Sequence, residues 1–460
     1  MTQKASMRSP LDFELEDPLL DSPAPAKRRK KVIGLDDLLT DYYKEKDKCI
    51  EGELKSKKAR KIDSSDEEDN AREATLSSAL DKYHKQMQDM GGDDEISHWG
   101  LHVFGTQKSL PELVLPELHS YGLLQSFYEN KHNSLVGLRR EEGDTFLEGL
   151  LINGWLLKLI TVQNHVEEVI AKWVFNLMMF SSKGKIRMSA CDFWCSILSL
   201  KNEDNASPIR IDWVPNYSDI GGALDVYGYI CNSSSNWASH TDCDLVEPSK
   251  NIQTWIKFVT AFCEVRSKRI MLSTSEAVEL IIVVISLFLD RRLGGLSILL
   301  YKCLVSTINY LTDDEWNTSS EKIAKCLACR VPRDLNCLRV VECISGVDGR
   351  SKSLRSKVAY EILAIYLDAK VANDEEILNI LMSIKVKERS CDLFKVYICL
   401  ILAENWLMWG PKLEDRPVIC EMWGVFLRSC SFFIASTDLR SYASKVRNRA
   451  SYLLHGSSTD

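Results

Sequence analysis

From about Leu118 to the end of the chain, apolar residues recur every three or four positions almost without interruption. Phe146, Leu150, Leu151 and Leu157 follow this spacing, as do Val166, Ile170, Trp173, Val174 and Leu177. A 3.6-residue period puts such positions on one face of a helix, and a strand cannot use it. The pattern predicts helices over Glu142–Ile160, His165–Phe180, Ile186–Leu200, Ile252–Val265, Thr274–Arg291, Ser297–Leu311 and Ser320–Val331. It continues with Leu335–Ile344, Leu354–Ala369, Glu375–Val386, Leu393–Trp409, Val418–Phe433 and Leu439–Leu453. Three starts carry a capping-box pattern: Ser273 with Glu276, Thr312 with Glu315, and Asn373 with Glu376. In each, a short polar side chain accepts from early backbone amides while the acid three residues on reaches back.

Many helices of modest length joined by short polar turns imply an all-α fold, an irregular helical-repeat body of α-solenoid type. No sharp internal period marks a regular repeat family. Around residues 202–250 the pattern gives way to Ser, Asn, Gly and Asp with Pro208, Pro215 and Pro248, which reads as a loop insertion holding one short helix near Ile220–Ile230. The helical-repeat domain is placed at 95–460. Its first stretch, Asp93 to Pro116, is irregular, and its apolar residues are expected to lie along the body as an extended arm.

Residues 1–94 differ in kind. Charge alternates in blocks, and the segment is too polar to offset its own ordering entropy, so a disordered tail is expected, with one short helix from about Ala74 to Met90. Lys27, Arg28, Arg29, Lys30 and Lys31 form one cationic run, and Lys57, Lys58, Arg60 and Lys61 a second. Compact basic runs in a flexible tail suit an acidic import receptor, implying a nuclear protein; contact with DNA is the alternative use of the same charges. Ser64 and Ser65 each precede an acid by three positions (Glu67, Glu68), the spacing read by acid-directed kinases, and are phosphorylation candidates. Leu35, Leu38, Leu39 and Tyr42 would share one face of a short helix. They are candidates for docking into a partner's groove, against the alternative of a chance apolar cluster in a linker.

Composition narrows the function. A net charge of −7 argues against a chain that coats nucleic acid by bulk attraction. The 15 cysteines sit among Leu, Ile and Val, and with no signal peptide expected they read as core thiols of a reducing compartment. Cys326, Cys329, Cys337 and Cys343 invite a zinc reading, but the second pair lacks knuckle spacing and all four also fit helix faces. Ala277–Leu289 is apolar but too short to span a bilayer and carries Glu279, so no membrane segment is expected. Nucleophile elbows, metalloprotease helices, phosphate loops and dinucleotide fingerprints do not occur, which predicts a non-enzyme without cofactor, metal or small-molecule substrate. Arg350, Lys352, Arg355 and Lys357, and Arg440, Lys445, Arg447 and Arg449, form two basic stretches. They read as solvated faces or as weak contacts to a DNA backbone, with no interleaved aromatics for base stacking.

The order of parts, with Leu115-Pro116-Glu117-Leu118 and then Gly143-Asp144-Thr145-Phe146-Leu147-Glu148-Gly149-Leu150-Leu151-Ile152-Asn153-Gly154-Trp155-Leu156, resembles a plant member of the CANIN-domain family. These are the Nse-six-like subunits of the Smc-five/six chromosome-maintenance complex. The resemblance covers roughly Trp99 to the C-terminus. It implies a non-catalytic nuclear subunit that pairs with an Nse-five-like helical partner and recruits, loads or regulates the Smc-five/six core in DNA repair. A nuclear helical adaptor in transcriptional regulation or transport is the alternative.

Overall fold

The computed structural model describes residues 99–113, 122, 143–199, 209–230, 248–265, 271–369, 373–410 and 413–456. All lie in the compact unit from His84 to Asp460. The charged tail and the helix expected over Ala74–Met90 fall outside the described residues.

The fold is all-α, an irregular helical-repeat body. The described helices are α1 (Gly143–Ile152), α2 (Trp155–Gln163), α3 (Glu168–Phe180), α4 (Gly184–Ser199), α5 (Tyr217–Val226), α6 (Ile252–Glu264), α7 (Thr274–Leu287) and α8 (Ser297–Tyr310). They continue as α9 (Asp313–Arg330), α10 (Asn336–Cys343), α11 (Gly349–Tyr366), α12 (Asp374–Ser383), α13 (Leu393–Trp409), α14 (Pro417–Phe432) and α15 (Ala443–Gly456). Many helices pack on their next-but-one neighbour, while α3 packs chiefly on α4 and α14 chiefly on α15. The contacts run α4–α6–α8 in the first half and α7–α9–α11–α13–α15 in the second, with α12–α14 alongside. This alternation is how helical repeats bury a continuous core without closing on themselves.

Caps set several boundaries. Ser273 and Thr312 form complete capping boxes with Glu276 and Glu315. The two boxes also meet: Thr274 Oγ1 donates to Glu315 Oε1 at 2.8 Å, tying the start of α7 to the start of α9. Because Thr312 is the true N-cap, α9 begins at Asp313, seven residues ahead of the start that periodicity alone suggests. Asn373 caps α12 through the Glu375 amide without the reciprocal bond, so no box forms there. A third box, Asn216 with Asp219, starts α5.

Other expectations need correction. The helix expected over Glu142–Ile160 is two helices, bent by 83°. Gly154 sits at φ +72°, a left-handed conformation that glycine adopts at no steric cost and that stops α1. His165–Val166 is not helical. It pairs in parallel with Arg210–Ile211 as a two-stranded ladder, β1 with β2, and α3 starts only at Glu168. α7 ends at Leu287, and Arg291–Leu296 forms a 3₁₀ turn. The short helix expected near Ile220–Ile230 is α5, which starts earlier, at Tyr217, and buries Ile220, Ala223 and Leu224.

The arm is as expected. Leu101, Val103 and Phe104 are buried. Leu101 N–H donates to Leu289 O, Gly105 N–H to Gly228 O, and Ile230 N–H to Val103 O. Asp290, itself 2% exposed, accepts from the Val103 amide at 3.3 Å and from Arg292 through its backbone and guanidinium N–H groups. The Trp99 ring meets the guanidinium groups of Arg291 and Arg339 at 5.3 and 4.8 Å. The extended residues 99–108 are thus clipped to the end of α7 and the turn after α5.

Candidate interaction surface

α14 buries one side and leaves the other bare. Ile419, Trp423, Phe426, Leu427 and Cys430 face the core. On the outward side Val418, Val425 and Phe432 are 55%, 42% and 73% exposed. Seven residues fall only about 20° short of two turns, so these three stand nearly in line over about 21 Å of helix. Met422 is half-buried beside them and Phe433, at the C-cap, is exposed. Glu421 and Arg428 are exposed on the same helix. An isolated exposed valine would mean nothing, but a run of large apolar side chains along one helix is the pattern of a surface that another chain covers. Among the described residues nothing covers it.

In the two basic stretches several cations are bonded within the fold. Arg350 donates to Ile308 O and Leu311 O and pairs with Asp313, closing the end of α8 onto α9. Arg355 Nε donates to Asn405 Oδ1 at 2.7 Å, and half-burial pulls its guanidinium pKa down. Lys357 reaches Ser320 Oγ at 2.7 Å. Arg440 is held by Asp438 and by the carbonyls of Val386 and Glu388. Arg449 forms a two-point pair with Glu404, a carboxylate only 8% exposed. Arg350, Arg355, Lys357, Arg440 and Arg449 thus bond to groups on other elements, whereas Arg447 meets the adjacent Asn448. Aromatic rings lie beside the basic residues as well, Trp409 from α13 and Tyr442 and Tyr452 from within or next to the second stretch. Trp409 lies beside Lys352 and Arg355, Tyr442 beside Lys445, and Tyr452 beside Arg449.

Between α11, α12 and α13 a cleft of about 310 Å³ is lined by Ser356, Lys357, Tyr360, Glu361, Trp406 and Arg416, among others. Arg416 pairs with Asp374, and the Tyr360 and Trp406 rings lie 5.1 Å apart. Burial pushes the Tyr360 hydroxyl up to about 12 and raises the Glu361 carboxyl. Of the charged groups here, Arg416 pairs with Asp374 across the helix junction and Lys357 donates to Ser320 Oγ.

Among the described cysteines most are buried and some are not. Cys191, Cys263, Cys303, Cys337, Cys343, Cys399 and Cys430 are buried. Cys329 and Cys420 are exposed and Cys326 is half-buried, so the Cys326–Cys329 pair is not core. Among the described residues no three His, Cys, Asp or Glu side chains gather where they could hold a metal ion. Arg291–Tyr310 is long and apolar enough by composition to cross a membrane, but it joins the 3₁₀ turn to α8, whose Leu300, Cys303, Leu304 and Ile308 pack into the core.

The basic runs Lys27–Lys31 and Lys57–Lys61, Ser64 and Ser65, and Leu35, Leu38, Leu39 and Tyr42 all lie outside the described residues. The α14 face was legible in principle, since Val418, Val425 and Phe432 form a seven-residue repeat. No protein-family model, curated protein or solved structure matches the chain.

Proposed function

We propose that this chain is a non-catalytic nuclear scaffold that works by pairing with another helical protein through its C-terminal helices. The observation that carries the reading is the outward apolar face of α14, Val418, Val425, Phe432 and Phe433, at the end of a helical row. An extended helical array binds through such surfaces, and a paired subunit would remove this one from water. The basic runs of the tail serve as import signals in this reading, and Ser64 and Ser65 as sites where phosphorylation adds charge. Leu35, Leu38, Leu39 and Tyr42 offer a second, smaller attachment point for a partner groove.

The resemblance to Nse-six-like subunits supplies the specific form of the proposal. The partner is an Nse-five-like helical subunit, and the pair recruits, loads or regulates the Smc-five/six core during DNA repair. The helix-bracing roles of Arg350, Arg355, Arg440 and Arg449 favour protein pairing over direct DNA contact as the main task of the body. Affinity purification of the full chain from nuclei, followed by mass spectrometry, tests this. Recovery of Smc and Nse subunits supports it. Recovery of transcription or transport machinery without them would favour a nuclear adaptor instead.

A further inference from the structure

Two thiols on α4 stand one turn apart and face each other. Cys191 Sγ and Cys195 Sγ are separated by 3.9 Å. Each also approaches a carbonyl oxygen of α6: Thr254 O lies 3.8 Å from Cys191 and Lys257 O 3.9 Å from Cys195. Cys191 is buried, while Cys195 is half-buried and keeps some contact with solvent. Around Cys195 stand Lys257, Asp192 and Glu264, of which the Lys257 ammonium favours a thiolate and the two carboxylates oppose it. The hydrogen bond between the two sulfurs raises the pKa of Cys191, which burial raises further, and lowers that of Cys195. Other buried thiols lack this arrangement. Burial pushes Cys303 up to about 12 and raises Cys263, and neither sulfur is bonded to a second thiol.

We propose that Cys191 and Cys195 form a modification site at which a hydroperoxide oxidises Cys195 and Cys191 resolves the product into an intrahelical disulfide. In the first step the Cys195 thiolate attacks one peroxide oxygen. The S–O bond forms, the O–O bond breaks, and the leaving hydroxide takes a proton to become water. In the second step Cys191 sulfur attacks the Cys195 sulfenic acid. The S–S bond forms, the S–O bond breaks, and the departing oxygen leaves as a second water with the Cys191 proton. Two thiols and one hydrogen peroxide become one disulfide and two waters.

The product cannot sit in an undisturbed helix. Side chains one turn apart have their Cβ atoms about 5–6 Å from each other, whereas a disulfide holds them near 3.8 Å. Closing the bond therefore tightens α4 at this turn. Trp194 lies inside the closed segment, fully buried against Phe193, Trp213 and Phe258. A strained disulfide of this kind is readily reduced, which suits a reversible mark rather than a permanent staple.

The test uses the full-length protein, reduced, desalted and exposed to stoichiometric hydrogen peroxide, then alkylated and mapped by mass spectrometry without reduction. The proposal expects a linked peptide lighter by two hydrogens that joins Cys191 to Cys195, formed while Cys329 and Cys420 remain alkylatable, and lost on adding dithiothreitol. Amide exchange through residues 191–199 should rise by at least about tenfold in the oxidised form. In Cys191→Ser the disulfide is absent and Cys195 becomes trappable by dimedone as a sulfenic acid. In Cys195→Ser the residue at 191 stays a free thiol. Consumption of Cys329 and Cys420 while the α4 pair remains reduced would overturn the proposal. So would Cys195 sulfenic acid that accumulates in the unsubstituted protein without forming the disulfide.

Discussion

Replacing Asp290 with Asn should release the arm at residues 99–108 while leaving the helical body folded. The arm buries Leu101, Val103 and Phe104, at about 1.5–3 kcal/mol each. Its backbone makes bonds at Gly100, Leu101, Val103, Gly105 and Ile230, each contributing about 0.5–1.5 kcal/mol. Against this stands the ordering of residues 99–108, at about 1–2 kcal/mol per residue. Gain and cost agree to within a few kcal/mol, so the docked arm has a narrow margin. Asp290 supplies much of that margin, because one buried carboxylate satisfies the Val103 amide and three N–H groups of Arg292. Asn has a single acceptor oxygen, and its amide hydrogens would face donors.

Breaking a buried ion pair costs about 3–5 kcal/mol. The Arg292 side chain is 19% exposed and can partly rehydrate, so about 2–3 kcal/mol is the expected loss. Hydrogen exchange followed by mass spectrometry or NMR reads this directly. The amides of Leu101, Gly105 and Ile230 should exchange at least about tenfold faster in Asp290→Asn, while those of α11 and α13 stay unchanged. Equal exchange of the arm amides in both proteins would refute the reasoning.

Three further outcomes follow from the same geometry. Gly228→Ala should destabilise by about 1–3 kcal/mol, because a Cβ there, at φ +82°, would lie 2.6 Å from Thr106 O and 2.8 Å from Gly105 O; thermal melting checks it. Arg449→Ala should destabilise by about 1–3 kcal/mol by leaving the Glu404 carboxylate buried without its pair, whereas Arg447→Ala, whose guanidinium meets only Asn448, should change melting little. Deleting residues 1–75 should move a fluorescent fusion to the cytoplasm while cooperative unfolding of the body persists, as seen by microscopy and calorimetry.

The helices were legible because their apolar spacing is long and regular. α13 runs from Leu393 to Trp409, as its pattern predicts, with Asp392 capping the Phe394 and Lys395 amides. Boundaries failed where a local signal competes with periodicity. Asn153-Gly154 stops α1 although apolar spacing continues across it, and Asn216 with Asp219 starts α5 with an aspartate in place of the usual glutamate. The basic stretches could not be read from one segment, since the partners of Arg355 and Arg449 lie 50 and 45 residues away. Whether a charge is solvated or braced depends on which helix the fold sets beside it. The α14 face shows the same limit from the other side. A helix apolar on more than one face reads as deeply buried, and only the packing distinguishes core from bare surface.

The central claim, that this body pairs with a helical subunit through α14, is tested most directly by co-expression with an Nse-five-like subunit and size-exclusion chromatography with light scattering. A soluble one-to-one complex is expected, stable in raised salt because apolar burial is not screened, and lost in a Val425→Asp, Phe432→Asp double variant whose body still melts normally. A monodisperse monomer with no affinity for that subunit, or a complex indifferent to the two aspartates, would contradict it.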